Sequence, residues 1–253
     1  MGPRPFKVVT YNIRTGAGFS LAHPWSRRRR LVRHVLDQLQ GDLIAVQELS
    51  PNQETDLRSS LVDHRYVGYG REAAPGRGER VGIFVRAKRF EIEDRGRFWL
   101  SASPDRPGSV GWDATCPRIA TWVAVIDRED GTPLHVINAH LDHRGHESRE
   151  RGARQIAEHM SGVTGRRVIL GDFNDTPGSA PYARLMERGF EDACDGELQP
   201  TFHGFGASPW KARIDWILHG PELTTLSAGV HDERPDGAYP SDHDPAWAIL
   251  GPS

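Results

Sequence analysis

Polar residues of a few chemical types recur where strand-like, apolar segments of this chain begin or end. The segment VILGDFN supplies Asp172 and Asn174, and the segment RIDWIL places Asp215 among apolar residues. A side chain at the rim of a rigid sheet is held firmly while its head group reaches solvent. The pattern therefore predicts one site at the edge of a sheet. Its candidate residues are Asn12, Glu48, His140, Asp172, Asn174, Asp215, Asp242 and His243.

The residue types of this set point toward hydrolysis at phosphorus. Carboxylate and amide oxygens are hard ligands that favour Mg²⁺ or Mn²⁺. The sequence has no cysteine cluster or HExxH for zinc, no GxSxG nucleophile elbow, and no GxxxxGKS or GxxxxGKT phosphate loop. Hard ligands combined with two histidines and arginines suit in-line attack by water, in which a cation neutralises the phosphate oxygens.

Each candidate also has a simpler interpretation when it is taken alone. Asn12 could end a strand, Glu48 could be a solvated charge, and His140 could be a core histidine. The sequence from Asp172 could form an Asx turn. Asp215 is harder to dismiss, because a carboxylate within an apolar strand needs a partner if it is buried. Taken together, the set favours a site.

The elements that must position these residues are short strands and a few helices. Strands are predicted over 7–13, 43–48, 81–86, 121–127, 135–140, 168–172, 214–218 and 246–250. Helices are predicted over 26–40, with Ser26 as N-cap, over 146–163 and over 180–187. Several strands are almost continuously apolar, which predicts two β-sheets packed face to face with helices outside. The Gly- and Arg-rich segments 70–80 and 104–111 are long enough to frame a cleft.

Length and composition indicate one large globular domain. The chain has 253 residues and a net charge of -2, so no global basic excess suggests a nucleic-acid partner, although a local basic cleft stays open. We expect a cytoplasmic monomer, without membrane association, because no apolar stretch could span a bilayer and no signal-peptide pattern is present. Cys116 and Cys194 are expected to be buried free thiols. The arginine run 27–30 is expected to be a solvated helix face.

The motifs together resemble those of the endonuclease/exonuclease/phosphatase (DNase I-like) superfamily, and in particular a bacterial, phosphatase-like branch. They occur in the family's order and span nearly the whole chain. The matching segments are TYNIR (10–14), QE (47–48), GERVGIFVR (78–86), PRIATWVAV (117–125), NAHLDH (138–143), GDFND (171–175), RIDWIL (213–218) and SDHDPAWA (241–248). The resemblance implies a single α+β domain over 1–253, a four-layer sandwich of two mixed sheets flanked by helices.

The resemblance also implies a role for each site residue. Glu48 would be the main metal ligand, with Asn12 and Asp242 beside it. Asp172 would position or activate the attacking water, although His243 or the metal could do so instead. Asn174 and Arg118 would contact the phosphate. His243 would be the phosphate-side histidine, oriented by Asp215. His140 would be a second phosphate contact or a general acid, the latter paired with Glu79. Asp142 would be an extra metal ligand or simply a loop aspartate.

Two enzyme functions would use the same catalytic residues and would differ in the cleft that binds the substrate. The first is a phosphatase or phosphodiesterase that acts on a small soluble substrate such as a sugar or nucleotide phosphate. The alternative is a DNA or RNA nuclease. Several arginines could line a nucleic-acid groove or a small phosphate pocket, namely Arg71, Arg77, Arg80, Arg106 and Arg118. A non-catalytic binding module is disfavoured, because every expected catalytic position is occupied.

Overall fold

The computed structural model describes residues 4–16, 22–74, 76–196 and 199–253. Its strands are β1 (Phe6–Asn12), β2 (Leu43–Leu49), β3 (His64–Gly70), β4 (Arg80–Arg86), β5 (Phe90–Trp99), β6 (Ile119–Asp127), β7 (Pro133–His140), β8 (Arg166–Asp172), β9 (Glu191–Asp192), β10 (Asp215–His219), β11 (Leu223–Val230) and β12 (Ala246–Pro252). Its helices are α1 (Trp25–Leu39), α2 (Pro51–Ser60), α3 (His146–Ser161) and α4 (Ala180–Met186).

The strands form two six-stranded mixed sheets. The first has the order β11-β12-β1-β2-β4-β3, and the second has the order β5-β6-β7-β8-β10-β9. Each sheet contains one parallel pair near its centre, β1 with β2 and β7 with β8, and the remaining pairs are antiparallel. The parallel pairs matter for function because both strands of a pair end at the same edge of the sheet.

Three buried clusters show that the molecule has four layers. One lies between the sheets and contains Val8, Leu43, Val168 and Ile217. A second joins the outer face of the first sheet to α1 and α2, and a third joins the outer face of the second sheet to α3 and α4. Because each sheet is covered on both faces, its central strands are apolar along their whole length. The predicted four-layer sandwich of two mixed sheets is confirmed.

The structure contains elements that the sequence did not predict. The strands β3, β5, β9 and β11 lie at or beside sheet edges, where half-exposed or charged residues replace the apolar pattern. Helix α2 was also missed, although Ser50 and Gln53 form a capping box at its start. The assignment of Ser26 as N-cap of the first helix is wrong. That helix begins at Trp25, and Pro24 occupies the cap position.

Three further sequence expectations can be compared with the structure. Cys194 is buried and free as expected, but Cys116 is only half-buried. Arg28 is buried, so the arginine run is not a uniformly solvated face. Gly108 and Ala73, from the two segments that were expected to frame a cleft, lie close together, since a Cβ atom on Gly108 would meet the Ala73 side chain at 2.9 Å. Within the described ranges, no helix is both long and apolar enough to cross a membrane.

Candidate active site

Strand register in the second sheet aligns three of the predicted site residues. His140 on β7 is the Cα partner of Asp172 on β8, and Asp172 is the partner of Asp215 on β10. All three side chains are buried. Strand β8 approaches β7 very closely here, because a Cβ atom on Gly171 would overlap the carbonyl oxygen of Ala139. The glycine therefore permits the spacing that brings this row of side chains together.

The first sheet supplies Asn12 and Glu48 from its parallel pair. Asn12 ends β1 opposite Gln47 on β2. The pairing of β2 with β4 shifts between Val46 and Leu49, and Glu48 within that shift has a left-handed φ of 59°. A bulge of this kind re-aims a side chain, and non-glycine residues with positive φ cluster at functional sites.

The Asn12 amide joins the two sheets at this edge. Its Nδ2 donates to Glu48 Oε1 at 3.2 Å and to Asp172 Oδ2 at 2.8 Å, while its Oδ1 accepts from the Arg14 backbone at 3.0 Å. Burial alone would raise the pKa of Glu48, but Arg14, the Thr15 amide and other neighbours outweigh it and lower that pKa. Glu48 is therefore a carboxylate at neutral pH, as a hard metal ligand has to be.

His243 and Asp215 form a buried hydrogen-bonded pair. His243 Nδ1 donates to Asp215 Oδ2 at 2.8 Å, and His243 Nε2 lies 3.9 Å from Asp172 Oδ2. Burial would lower the pKa of His243, but the Asp215, Asp172 and Asp242 carboxylates outweigh it and raise that pKa to about 10. Burial and the neighbouring Asp215 also raise the pKa of Asp172 to about 7. The pair thus presents an imidazolium toward a carboxyl group that titrates near neutrality.

His140 faces Arg118 on the other side of Asp172. Arg118 Nη1 donates to His140 Nε2 at 3.0 Å. The same imidazole nitrogen, His140 Nε2, lies 3.5 Å from Asp172 Oδ2. Burial and the Arg118 charge lower the pKa of His140 well below its usual value, so the imidazole is neutral. The predicted pairing of His140 with Glu79 is wrong, because Glu79 forms its ion pair with Arg71 at 2.7 Å.

Asp142 holds Arg118 rather than standing free for a cation. Its Oδ2 accepts from Thr115 and from Arg118 Nε, and its Oδ1 accepts from the backbone of Arg144 and Gly145. Burial would raise the pKa of Asp142, but these donors lower it far below its usual range. Of the two interpretations of Asp142, the structure favours the loop aspartate.

Asn174 follows β8 in a left-handed conformation with φ of 50°. Its backbone amide donates to Asp172 Oδ1 at 2.9 Å, and its side-chain Nδ2 donates to the Leu141 carbonyl at 3.1 Å. The half-buried residue is therefore fixed beside Asp172 by two bonds. The GDFN turn therefore places the Asn174 amide beside Asp172.

Two places in the described chain offer ligands for a cation. Glu48 Oε2 and Asp242 Oδ2 lie 3.5 and 3.6 Å from the Arg14 guanidinium, which neutralises them in this structure. The second place is the group of Asp172, Asp215 and His243, whose ligand atoms lie within 4.8 Å of one another. In that group, the imidazole already donates to Asp215. The carboxylates of Glu48 and Asp242 offer the hard oxygen donors that a divalent cation such as Mg²⁺ prefers, whereas the second group includes an imidazole.

The comparisons with known proteins agree with this fold. The family model "Endonuclease/Exonuclease/phosphatase family" matches residues 9–243. The chain belongs to the endonuclease/exonuclease/phosphatase family. Its fold is similar to that of an endonuclease/exonuclease/phosphatase from Bacteroides vulgatus, with 31% identity and a TM-score of 0.92 over 98% of this chain and 99% of the other.

Two other family-level matches bear on this chain. A mannosyl-6-phosphatase from Bacteroides thetaiotaomicron has 30% identity and a TM-score of 0.89, over 97% of this chain and 99% of the other. An uncharacterized protein of Acanthamoeba polyphaga mimivirus is 30% identical over 263 aligned positions. That alignment covers 85% of this chain and 38% of the viral protein, so this chain matches little more than a third of its length.

Several residues around the family site escaped the sequence prediction. Arg14 neutralises the carboxylate pair, and its position directly after Asn12 was an available signal. Ser241 Oγ donates to the Asn12 carbonyl at 2.7 Å and lies beside Asp242. Thr201 Oγ1 accepts from the Ile214 and Asp215 amides, but an isolated threonine carries no sequence signal of this role.

A wide surface groove of about 820 Å³ lies away from these residues. It runs between α3 and α4, is lined by Trp112 and by Glu and Arg side chains, and includes no predicted site residue. Arg184 there pairs with Glu150 at 2.7 Å and with Glu187 at 3.0 Å. Ion pairs of this kind are typical of a solvated helix surface. The candidate site is therefore defined by the convergence of buried polar groups at the sheet edges.

Proposed function

We propose that this chain hydrolyses the phosphate monoester of a small soluble substrate, with a divalent cation held by Glu48 and Asp242. The observation that carries this proposal is the bridging of Glu48 and Asp172 by Asn12 at 3.2 and 2.8 Å. Through this bridge, Asp172, whose pKa is raised to about 7, is linked to Glu48, the proposed cation ligand. A group poised near neutral pH is suited to accept a proton from water.

The charge state of each side chain determines its role in the proposed hydrolysis. Mg²⁺ or Mn²⁺, when bound, would neutralise phosphate oxygens and polarise the attacking water. Asp172 accepts a proton from the attacking water as the water oxygen bonds to phosphorus and the bond to the ester oxygen breaks, and the released alkoxide takes a proton from solvent. His243 stays an imidazolium with Nδ1 committed to Asp215, so its Nε2–H donates to a phosphate oxygen rather than activating water.

His140 and Arg118 complete the phosphate contacts. Because His140 is neutral and its Nε2 accepts from Arg118, it is a poor general acid in this state and instead orients the guanidinium. Arg118 then supplies positive charge to the phosphate, and the Asn174 amide contacts another oxygen. Asn12 is a bridge between Glu48 and Asp172, and its Oδ1 is the atom that could also reach the cation.

Two observations favour a small substrate over a nucleic acid. The mannosyl-6-phosphatase resembles this chain over nearly all of both lengths. In addition, Arg71 and Arg80, which could have lined a nucleic-acid groove, are ion-paired with Glu79 and Glu54 at 2.7 and 2.8 Å. Paired arginines attract a long polyanion less than free ones.

A substrate screen with the purified chain tests this function. Sugar phosphates including mannose 6-phosphate, nucleoside monophosphates, a diester and plasmid DNA are supplied with Mg²⁺ or Mn²⁺, and inorganic phosphate or DNA nicking is measured. We expect release of phosphate from a small monoester, loss of activity in EDTA and recovery on adding the cation. Preferred nicking of plasmid DNA would instead support the nuclease alternative.

The variant Glu48→Gln links that activity to the proposed cation site. Removing the charge should lower the turnover rate at limiting Mg²⁺ by roughly 10²-fold or more, which is the usual effect of losing an electrostatic group at an active site. Glu129→Gln, an exposed control, should behave like the parent protein. Full activity of Glu48→Gln at limiting Mg²⁺, or parental activity in EDTA, would remove Glu48 or the cation from the mechanism.

A further inference from the structure

Arg28 is buried although its neighbours in a run of four arginines are exposed. It lies in the first turn of α1 with 2% of its surface accessible, whereas Arg27 and Arg29 are exposed. Arg28 precedes Leu31 and Val32 by one turn, so helix periodicity places it on the buried face. Removing a guanidinium from water is costly, and its contacts have to offset that cost.

The guanidinium of Arg28 donates to carbonyl groups from three segments. Its Nη1 donates to Ile13 at 2.6 Å and to Pro240 at 3.0 Å, its Nη2 to Arg14 at 2.8 Å, and its Nε to His23 at 2.9 Å. The planar fork of arginine can satisfy several carbonyls at once, which a lysine ammonium cannot do in the same geometry.

Three of these carbonyls belong to two loops beside the proposed cation site, the loop after Asn12 and the loop before Asp242. Ile13 and Arg14 directly follow Asn12, and Pro240 precedes Asp242 by two residues. Ser241 makes a second link between the same loops, since its Oγ donates to the Asn12 carbonyl. One buried side chain therefore sets the separation between the end of β1 and the loop that leads into β12.

The Arg14 turn depends on the same contacts. Arg14 has a left-handed φ of 53°, and its carbonyl accepts from Arg28 and from Gln53 Nε2 at 2.9 Å. This turn directs the Arg14 guanidinium toward Glu48 and Asp242. No carboxylate pairs with Arg28 among the described residues, so its contacts serve backbone geometry rather than an ion pair.

We propose that Arg28 is a positioning residue that sets the affinity of the site for its divalent cation without touching cation or substrate. The proposal rests on the proposed function, because it assumes a cation at Glu48 and Asp242. Loss of Arg28 frees the loop after Asn12 and the loop before Asp242 to separate. The cation ligands then lose their preorganisation, and cation binding weakens.

The test measures cation binding directly. Mn²⁺ and Mg²⁺ are titrated calorimetrically into EDTA-treated protein for the parent chain, Arg28→Met and Arg28→Lys, with Arg27→Met and Arg29→Met as matched controls. We expect Arg28→Met to raise the Kd by roughly 10-fold or more, the usual scale for groups that support metal ligands. Arg28→Lys should lie between, and both controls should match the parent. At saturating cation, kcat and the substrate KM of Arg28→Met should stay within a few-fold of parental values.

Chemical rescue separates positioning from general destabilisation. Guanidinium at millimolar concentration should lower the cation Kd of Arg28→Ala toward the parental value and leave Arg27→Ala unchanged. Parental cation affinity in Arg28→Met, or in Arg28→Lys if the former does not fold, would overturn the proposal. Equal weakening in Arg27→Met would also overturn it. Absence of cation binding by the parent chain would instead refute the proposed function.

Discussion

At the scale of single residues, the carboxylate of Asp172 has polar neighbours from several segments. Asn12 Nδ2 lies 2.8 Å from its Oδ2, His140 Nε2 lies 3.5 Å away, and His243 Nε2 lies 3.9 Å away. Its Oδ1 accepts from the Asn174 backbone. Because amide, imidazole and imidazolium groups surround one buried carboxyl group, small changes in any neighbour should alter its proton affinity.

The Asp215–His243 pair should behave as one unit in catalysis. Removing His243 by substitution to alanine should lower kcat by roughly 10²-fold or more, because a charged donor to the phosphate is lost. Asp215→Asn should cost less, since it only weakens the orientation and charge of the imidazole. The double variant should therefore be little worse than His243→Ala alone, as measured by kcat under saturating substrate and cation. Strictly additive losses would show that the two residues act separately.

The pH profile of activity should report Asp172 and its neighbour Asp215. Asp172 must be ionised to accept a proton, and its pKa is raised to about 7, so kcat/KM should rise as pH passes through about 7. Asp215→Asn removes a negative charge that raises this pKa, which shifts the acidic limb to lower pH. Asp232→Asn, an exposed control, should leave the limb in place. A limb that stays fixed or moves upward in Asp215→Asn would contradict the assignment.

Candidate site residues could be predicted from the sequence where a polar side chain interrupts an apolar pattern. Asp215 was conspicuous because a carboxylate inside an apolar strand requires a partner, and the structure supplies His243 at 2.8 Å. Arg28 was misassigned because consecutive arginines look alike, and only its alignment with Leu31 on the helix face distinguished it. The pairing of Glu79 with Arg71 depends on the fold of a surface loop, which no local pattern determines.

At the scale of elements, the central strands could be predicted and the edges could not. Strands such as β2 and β8 are buried along their length, so their apolar composition predicts them directly. In β5, exposed residues interrupt the buried ones, and a pairing shift between Ile92 and Asp94 breaks the alternation. The hydrogen bond of 2.7 Å between Gln47 and Asn138 links β2 and β7, which belong to different sheets. It could not be predicted from the sequence, because it depends on how the two sheets pack.

The approach of β7 to β8 should be sensitive to one methyl group. Gly171→Ala introduces a Cβ that overlaps the Ala139 carbonyl, at a φ of 150°. We expect a loss of about 1–3 kcal/mol in the free energy of unfolding and a lower kcat, because the neighbouring His140–Asp172 register is displaced. Urea denaturation and steady-state kinetics measure both.

A second glycine separates the overlap from backbone strain alone. Gly189 has a φ of 76°, and a Cβ there would meet nothing within 4 Å. Gly189→Ala should therefore lose about 1 kcal/mol of stability from its left-handed backbone while kcat stays parental. If Gly171→Ala matched this control in both measurements, close approach of the two strands would not be what positions His140 and Asp172.

At the scale of the whole molecule, positive and negative charges nearly balance, and arginines near the candidate site form ion pairs with carboxylates. Lysine and arginine number 32 against 34 aspartate and glutamate residues, which gives a net charge of -2. Around the site, Arg71, Arg80 and Arg118 each have a carboxylate partner. A polyanion would have to displace these partners at several positions, whereas a single phosphate needs only one cation and one or two donors.

This charge distribution predicts a shallow salt dependence for the preferred substrate. A many-phosphate contact releases counterions from each neutralised phosphate and loses roughly 10³-fold or more in affinity between about 50 and 200 mM salt. With a monoester such as mannose 6-phosphate, we expect kcat/KM to fall only a few-fold over the same range at fixed Mg²⁺. Arg118→Ala should raise the KM of that substrate, because the guanidinium held by Asp142 and His140 no longer meets the phosphate. Efficient plasmid nicking that is lost over this salt range would show that the paired arginines exchange their carboxylate partners for phosphates of a nucleic-acid backbone. The small-substrate proposal would then be wrong.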